Sequence, residues 1–216
     1  MNRIWILGFL AAATIQGAVI DDFEDGTTQN WVVGLLGAPS PVPPVNVTDG
    51  GPLGAGDNYM QLTSIGGAGA GSRLVAINLS QWAGNYTSLG FTSISMDLRN
   101  LGDTDLSIRL YLENPMGAPP TDDAVTDSIL LPAGGDWTHA TFDVSASGLT
   151  ALNGSVATLL SNVTALRIMH NPAAGFPPPA IAAVLGVDNI TAVPEPSTVL
   201  LSALGLGALL LKAYRR

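Results

Sequence analysis

The feature that most restricts this chain is a repeated two-residue rhythm. Phe91–Asn100 reads FTSISMDLRN, with Thr92, Ile94, Met96 and Leu98 set against Phe91, Ser93, Ser95 and Asp97. Leu106–Asn114 sets Leu106, Ile108, Leu110 and Leu112 against Ser107, Arg109, Tyr111 and Glu113. Asn58–Ile65, Ser72–Leu79, Asp136–Val144, Val163–Asn171 and Ala183–Val193 are further blocks of strand type, each bounded by Gly, Pro, Asn or Asp. Period-two alternation places one side of a strand in a core and the other in water. Many short strands with turn signals between them specify an all-β, antiparallel sandwich or barrel.

Helical spacing is scarce. Leu149, Leu152, Val156, Leu159, Leu160 and Val163 share one amphipathic face, which predicts a short helix or helical turn joining two strands. Gly154 weakens that segment by about 1 kcal/mol relative to Ala. The chain carries 25 glycines and 15 prolines in 216 residues, and proline removes ladder donors. The Pro-rich stretches 37–57, 114–123 and 171–180 therefore read as loops. The Gly-rich stretch Ser64–Ser72 reads as a flexible hairpin loop.

Charge narrows the function. From Asp21 to Asp188, sixteen acids stand against only Arg73, Arg99, Arg109 and Arg167, a net charge of −12. Nucleic-acid binding needs clustered Lys and Arg and is excluded as a partner. An acidic surface suits solubility outside the cell and capture of cations. There is no cysteine, so neither a disulfide framework nor a Cys-based metal site is available.

The two ends differ from the body. Residues 1–18 begin with Arg3, continue in an apolar run from Ile4 to about Ala13, and finish in small residues, the order of a secretory signal peptide. The apolar run is short for a membrane span; an uncleaved anchor is the alternative. At the other end, Val193–Arg216 joins Pro194, Glu195 and Pro196 to an uncharged run, Thr198–Leu211, and then to Lys212, Arg215 and Arg216. A span wants about twenty residues, and 197–214 with Lys212 snorkelling approaches that. The basic end would stay cytoplasmic, leaving the body outside. This order resembles the PEP-CTERM sorting signal. The resemblance implies export through the inner membrane of a Gram-negative bacterium that makes exopolysaccharide. It also implies processing near Pro194-Glu195-Pro196 by an exosortase, a membrane protease-transpeptidase, with release to or attachment at the cell surface.

The mature domain, 19–192, opens with the acid-rich DDFEDGTTQNW. Read as a strand, it puts Asp22 and Glu24 on one face with Phe23 inward. First and last strands of antiparallel sandwiches commonly adjoin, so Glu24 could meet Asp188 and, with carbonyls and water, bind Ca²⁺. The residues alone favour solvated edge charges that discourage edge pairing. DDFEDGTTQNW, GDNYMQLTS and VDNITAV together resemble the galactose-binding-like jelly rolls of carbohydrate-binding modules. That resemblance covers about Ile20 to Val193. It implies a jelly-roll β-sandwich and a structural calcium ion held by Asp22, Glu24 and Asp188.

A sugar-binding face needs exposed rings and a few hydrogen-bonding groups. Trp82, in a loop-like stretch, and Tyr111, on the polar face of its strand, are the stacking candidates. Trp31 and Trp137 read as packing residues. No nucleophile elbow, zinc motif or phosphate loop is present, and His139 and His170 sit in strand patterns without a partner motif. The expectation is a non-catalytic module of the cell surface or extracellular matrix that binds polysaccharide. A purely structural matrix protein and a glycan-active enzyme are the alternatives.

Overall fold

The computed structural model describes residues 20–34, 40–69, 71–117 and 119–194. The expected signal helix and the expected transmembrane helix at 197–214, with Glu195 and Pro196, lie outside the described residues. No helix within them is long and apolar enough to cross a membrane. Ala18–Pro194 forms a compact unit.

Among the described residues, twelve strands build two antiparallel sheets. In chain order they are β1 (Ile20–Asp21), β2 (Val45–Val47), β3 (Tyr59–Ile65), β4 (Val75–Asn78), β5 (Phe91–Asn100) and β6 (Leu106–Asn114). Then follow β7 (Asp122–Val125), β8 (Ile129–Leu131), β9 (Thr138–Asp143), β10 (Thr150–Asn153), β11 (Ala165–His170) and β12 (Ala182–Pro194). Two short helices, α1 (Tyr86–Leu89) and α2 (Val156–Ser161), lie in connections. Sheet A runs β2-β3-β12-β5-β9, with β1 also on β12; sheet B runs β10-β7-β6-β11-β4, with β8 also on β6. This all-β arrangement is the sandwich that the alternation specifies.

The core lies between the sheets. Met60 and Leu62, Ile94, Met96 and Leu98, and Leu185 and Val187 come from sheet A. Ala76, Ile108, Leu110, Leu112, Leu166 and Ile168 answer them from sheet B. Each fully buried aliphatic side chain contributes about 1.5–3 kcal/mol relative to exposure.

Three local features depart from the simple rhythm. In β12, Asp188 lies opposite Asp97 while Thr191 lies opposite Ser95, so three residues of β12 span two of β5. Asn189 takes up the extra residue at φ +51°. The bulge lets both Val187 and Ile190 turn inward with Asp188 between them. Secondly, the first strand is shorter than expected. It ends at Asp21, and the following turn puts Phe23 at φ +57° with its ring buried.

Thirdly, the amphipathic stretch 149–163 is only half helical. Thr150–Asn153 pairs with β7 as a strand, and the helix begins after Ser155, whose side chain caps Thr158 N. Gly154 makes the break at φ +63°; a Cβ there would lie 2.2 Å from Asp122 Oδ1. The Gly-rich stretch, read as a hairpin loop, instead carries the chain from β3 in sheet A to β4 in sheet B.

Candidate functional site

Sheet B turns one face to the core and the other to a cleft. Alternation fixes which residues face outward: Val75 and Ile77 on β4, Arg167 and Met169 on β11, and Arg109, Tyr111 and Glu113 on β6. This side is not simply wet. The segment after β11, Asn171–Ala180, folds back over part of it. Phe176 stacks on Tyr111 with centroids 4.6 Å apart and planes 18° from parallel. The Arg167 guanidinium stands 5.2 Å from the centre of the Phe176 ring and 5.9 Å from that of Tyr111, within cation–π range.

Beside this stack is a cleft of about 330 Å³. Val75, Ile77, Met116 and Phe176 supply its apolar walls, and Arg73 and Arg167 its charge. Ala68, glycines at 34, 69, 71 and 117 and the prolines at 177 and 178 complete the lining among the described residues. Beneath it, Arg167 Nε donates to Glu113 Oε1 at 2.9 Å, and Arg167 Nη2 donates to the same oxygen. Burial raises the Glu113 carboxyl above the usual carboxylate range, and the arginine opposes that shift. Among the described residues Arg73 Nε is buried without a hydrogen-bond partner, while the Gly117 N–H joins the arginine in opposing the upward shift of the Glu113 carboxyl.

Neither stacking candidate is exposed. Tyr111 does lie on the polar face of β6, but it is 0% exposed, under Phe176. Its hydroxyl donates to Asp123 Oδ2 at 2.9 Å, and burial pushes its ionisation upward. Trp82 is also 0% exposed. Its indole N–H donates to Asp21 Oδ2 at 2.6 Å, and Trp31 donates to the same oxygen at 2.7 Å. A ring in the core offers no face to a sugar, so Trp82 is a packing residue. Trp31 packs in the same core, as expected. Trp137 packs edge-on to Tyr59 at 5.3 Å. It sits against Gly186, where a Cβ would lie 2.8 Å from the indole.

The acids of the two chain ends do approach one another, because β1 pairs with β12 through Asp21 and Ile190. Asp188 is buried. Burial, and then the carboxylates of Asp57, Asp97 and Glu24, push it up to about 7. Glu24 Oε1 accepts from Asn58 N at 2.8 Å. Asp22 turns back on its own loop, accepting from Glu24 N and the Gln29 amide. Among the described residues no three His, Cys, Asp or Glu side chains gather closely enough to hold a metal ion. Asp22, Glu24 and Asp188 therefore do not fit a three-carboxylate calcium cage. Asn46 Oδ1 is buried without a partner; its amide nitrogen donates to Phe23 O at 2.7 Å, one residue before Glu24.

Sequence reasoning missed Phe176, Arg73, Arg167 and Glu113. An isolated Phe inside a proline run was the available signal for Phe176. For Glu113 and Arg167 it was an acid and a base on adjacent strands, Tyr111 lying opposite Arg167.

Residues 192–216 match the PEP-CTERM protein-sorting motif. No curated protein matches the chain. Among solved structures, a family 11 carbohydrate-binding module from Clostridium thermocellum, in complex with a β-1,3-1,4-mixed-linked tetrasaccharide, is 17% identical with a TM-score of 0.52. The match covers 82% of this chain and 96% of that one. The family 11 module of the cellulosomal cellulase Lic26A-Cel5E from the same organism is 15% identical, TM-score 0.52, over 83% of this chain and 95% of that one. An exo-β-agarase is 14% identical, TM-score 0.54, over 81% of this chain. The present chain spans only 24% of that agarase. At these identities the likeness shows a shared fold.

Proposed function

We propose that this chain is an exported, non-catalytic, polysaccharide-binding protein of the cell surface. The observation that carries the reading is the cleft on the outer face of sheet B. It offers an apolar wall for a sugar ring, a partly exposed aromatic, Phe176 at 39%, and arginine donors at its floor. That combination is what a carbohydrate site needs. The fold shared with carbohydrate-binding modules, one of them solved with a bound tetrasaccharide, supports it. Tyr111 serves here by backing Phe176 rather than by touching ligand.

The PEP-CTERM motif implies an exported, cell-surface protein handled by an exosortase. In this reading Pro194-Glu195-Pro196 is the processing motif, and the apolar tail is a temporary anchor that keeps the domain outside the cell. Calcium belongs to the reading in reduced form. Glu24 and Asp188, with main-chain and amide oxygens such as Asn46 Oδ1, would hold it, and it would neutralise a corner crowded with carboxylates. Its task there is structural.

The test is retention in native gels containing soluble polysaccharides. F176A should lose retention while keeping the wild-type melting temperature within a few degrees, because the ring is partly exposed. Equal retention of F176A and wild type on every glycan that binds would remove the cleft from the reading. Absence of retention on all of them would leave a structural matrix role.

A further inference from the structure

The cleft reverses the charge of the domain around it. Sixteen acids and four arginines lie between Asp21 and Asp188. Two of those four arginines, Arg73 and Arg167, line the cleft, and among the described residues no acidic side chain does. A third, Arg109, lies on the same sheet face, closed by the carbonyls of Asn171, Thr126 and Pro172. Among the described residues, Arg167 alone of these three has a carboxylate partner, Glu113.

Arg73 is different. Its Nη1 donates to Pro178 O, and among the described residues its Nε is buried without a partner and no carboxylate bridges it. In a domain with four acids for every arginine, an unbridged guanidinium in a cleft free of acids is a specific arrangement. A guanidinium offers a planar fork of N–H groups that fits carboxylate or sulfate. Apolar surroundings strengthen that contact relative to water. Phe176, whose neighbour two residues on supplies the Arg73 carbonyl partner, stands ready for the ring.

We propose that the cleft takes an anionic sugar residue of an acidic polysaccharide, with its carboxylate or sulfate on Arg73 and its ring against Phe176. This rests on the polysaccharide-binding reading above and names its ligand class. The body's net charge of −12 repels a long polyanion at distance, but that repulsion is screened beyond about 8 Å at physiological salt. Short probes in 0.15 M salt therefore isolate the cleft contact.

The experiment is titration calorimetry on the full chain in neutral detergent. The three probes are an oligogalacturonate, a sulfated carrageenan oligosaccharide and an uncharged mixed-linked β-glucan tetrasaccharide. At least one acidic probe should bind ten-fold or more tightly than the neutral one; which of them does so tells carboxylate from sulfate. R73Q should weaken that acidic probe ten-fold or more while leaving the neutral probe unchanged. R73K, which keeps charge and loses the fork, should fall between. Should R73Q not fold, carboxyl-reduced or desulfated probe replaces it, and wild type must bind that probe at least ten-fold more weakly. Neutral binding equal to or tighter than acidic binding, or an acidic affinity indifferent to Arg73 and to removal of the anionic group, overturns the inference and leaves the cleft as a neutral-glycan site. Binding of none of the three probes overturns both the inference and the function it rests on.

Discussion

Asp21 should be among the most sensitive positions of the domain, although no charge pairs with it. Its Oδ2 accepts from the indoles of Trp31 and Trp82 at 2.7 and 2.6 Å, and both oxygens accept from Gln81 Nε2 at 2.9 and 3.0 Å. Both indoles are fully buried, and Asp21 is 3% exposed. Asp21→Ala leaves two buried indole donors without their acceptor. A buried unsatisfied donor costs about 1–3 kcal/mol, so the pair costs about 2–6. Gln81 loses less, because it keeps the Gln29 carbonyl at 2.7 Å. Against this stands the relief of a buried charge: burial already pushes Asp21 above its ordinary range. The net expectation is about 2–4 kcal/mol. For a domain of this size that is a fall of roughly 5–15 °C in Tm. The assay is urea unfolding of residues 18–194, which contain both sheets and their core, followed by tryptophan fluorescence. Trp82→Phe removes one donor along with its acceptor's need, so D21A and W82F should be non-additive by about 1 kcal/mol or more. A D21A loss below about 1 kcal/mol, or strict additivity with W82F, would refute the claim that the carboxylate pins the two indoles.

The remaining predictions are shorter. Arg167→Met should destabilise the domain by about 3 kcal/mol, because it leaves Glu113 buried and unpaired; R167M/E113L should recover most of that loss in the same urea assay. His170 accepts from Ser107 N at its Nδ1, 3.0 Å away, and burial lowers its protonation below the ordinary value. Its contribution is present above about pH 6.5 and lost as pH falls through the lowered value, since the unfolded chain takes up the proton first. His170→Asn keeps an acceptor without a titration, so stability of this variant measured from pH 7 to 5 should fall less steeply than wild type; equal slopes would reject the role. Millimolar Ca²⁺ should raise the melting temperature relative to EDTA, and Asp188→Ala should abolish the difference; at 100 times the dissociation constant the gain is about 2.7 kcal/mol. Identical wild-type curves in Ca²⁺ and EDTA would remove calcium from the reading.

How far the fold was legible follows from the kind of signal each element carries. β5 and β6 appear at the residues the alternation marks, because long strands with one buried face repeat the signal four or five times. β2, β7 and β8 went unread. They have three or four residues each, too few for a period, and β2 lies inside a proline-rich stretch. The short helix expected within 149–163 forms only at Val156–Ser161, because leucine spacing cannot see a tertiary obstacle. Asp122 and Thr121 occupy the space where a Cβ at 154 would stand, so the chain must turn there. At the first turn, Phe23 adopts a conformation that favours glycine. Its buried ring and the hydrogen bond from its N–H to Gln29 Oε1 accompany that backbone, and neither can be inferred from local propensity.

The site was harder to read for a related reason. Alternation along β6 correctly groups Arg109, Tyr111 and Glu113 on one side, but it reports only that this side is not the main core. What covers it depends on a segment about sixty residues later in the chain. Phe176 stacks on Tyr111 because the proline-rich stretch after β11 returns across sheet B, and that return converts a wet face into a second, smaller interior. Once Tyr111, Val125 and Met169 are shut in, polar groups on the same face can no longer rely on water. Arg167 and Glu113 pair, Arg109 takes three carbonyls, and Tyr111 takes Asp123. Among the described residues, Arg73 Nε is what remains without a partner. The same argument separates the two aromatic candidates. Trp82 is committed to Asp21 in the main core, whereas the Tyr111 position matters because it fixes the ring that the cleft presents. A ligand that supplies an anionic oxygen to Arg73 would give that guanidinium the charged partner it lacks, which is why charge, more than shape, should decide what the cleft retains.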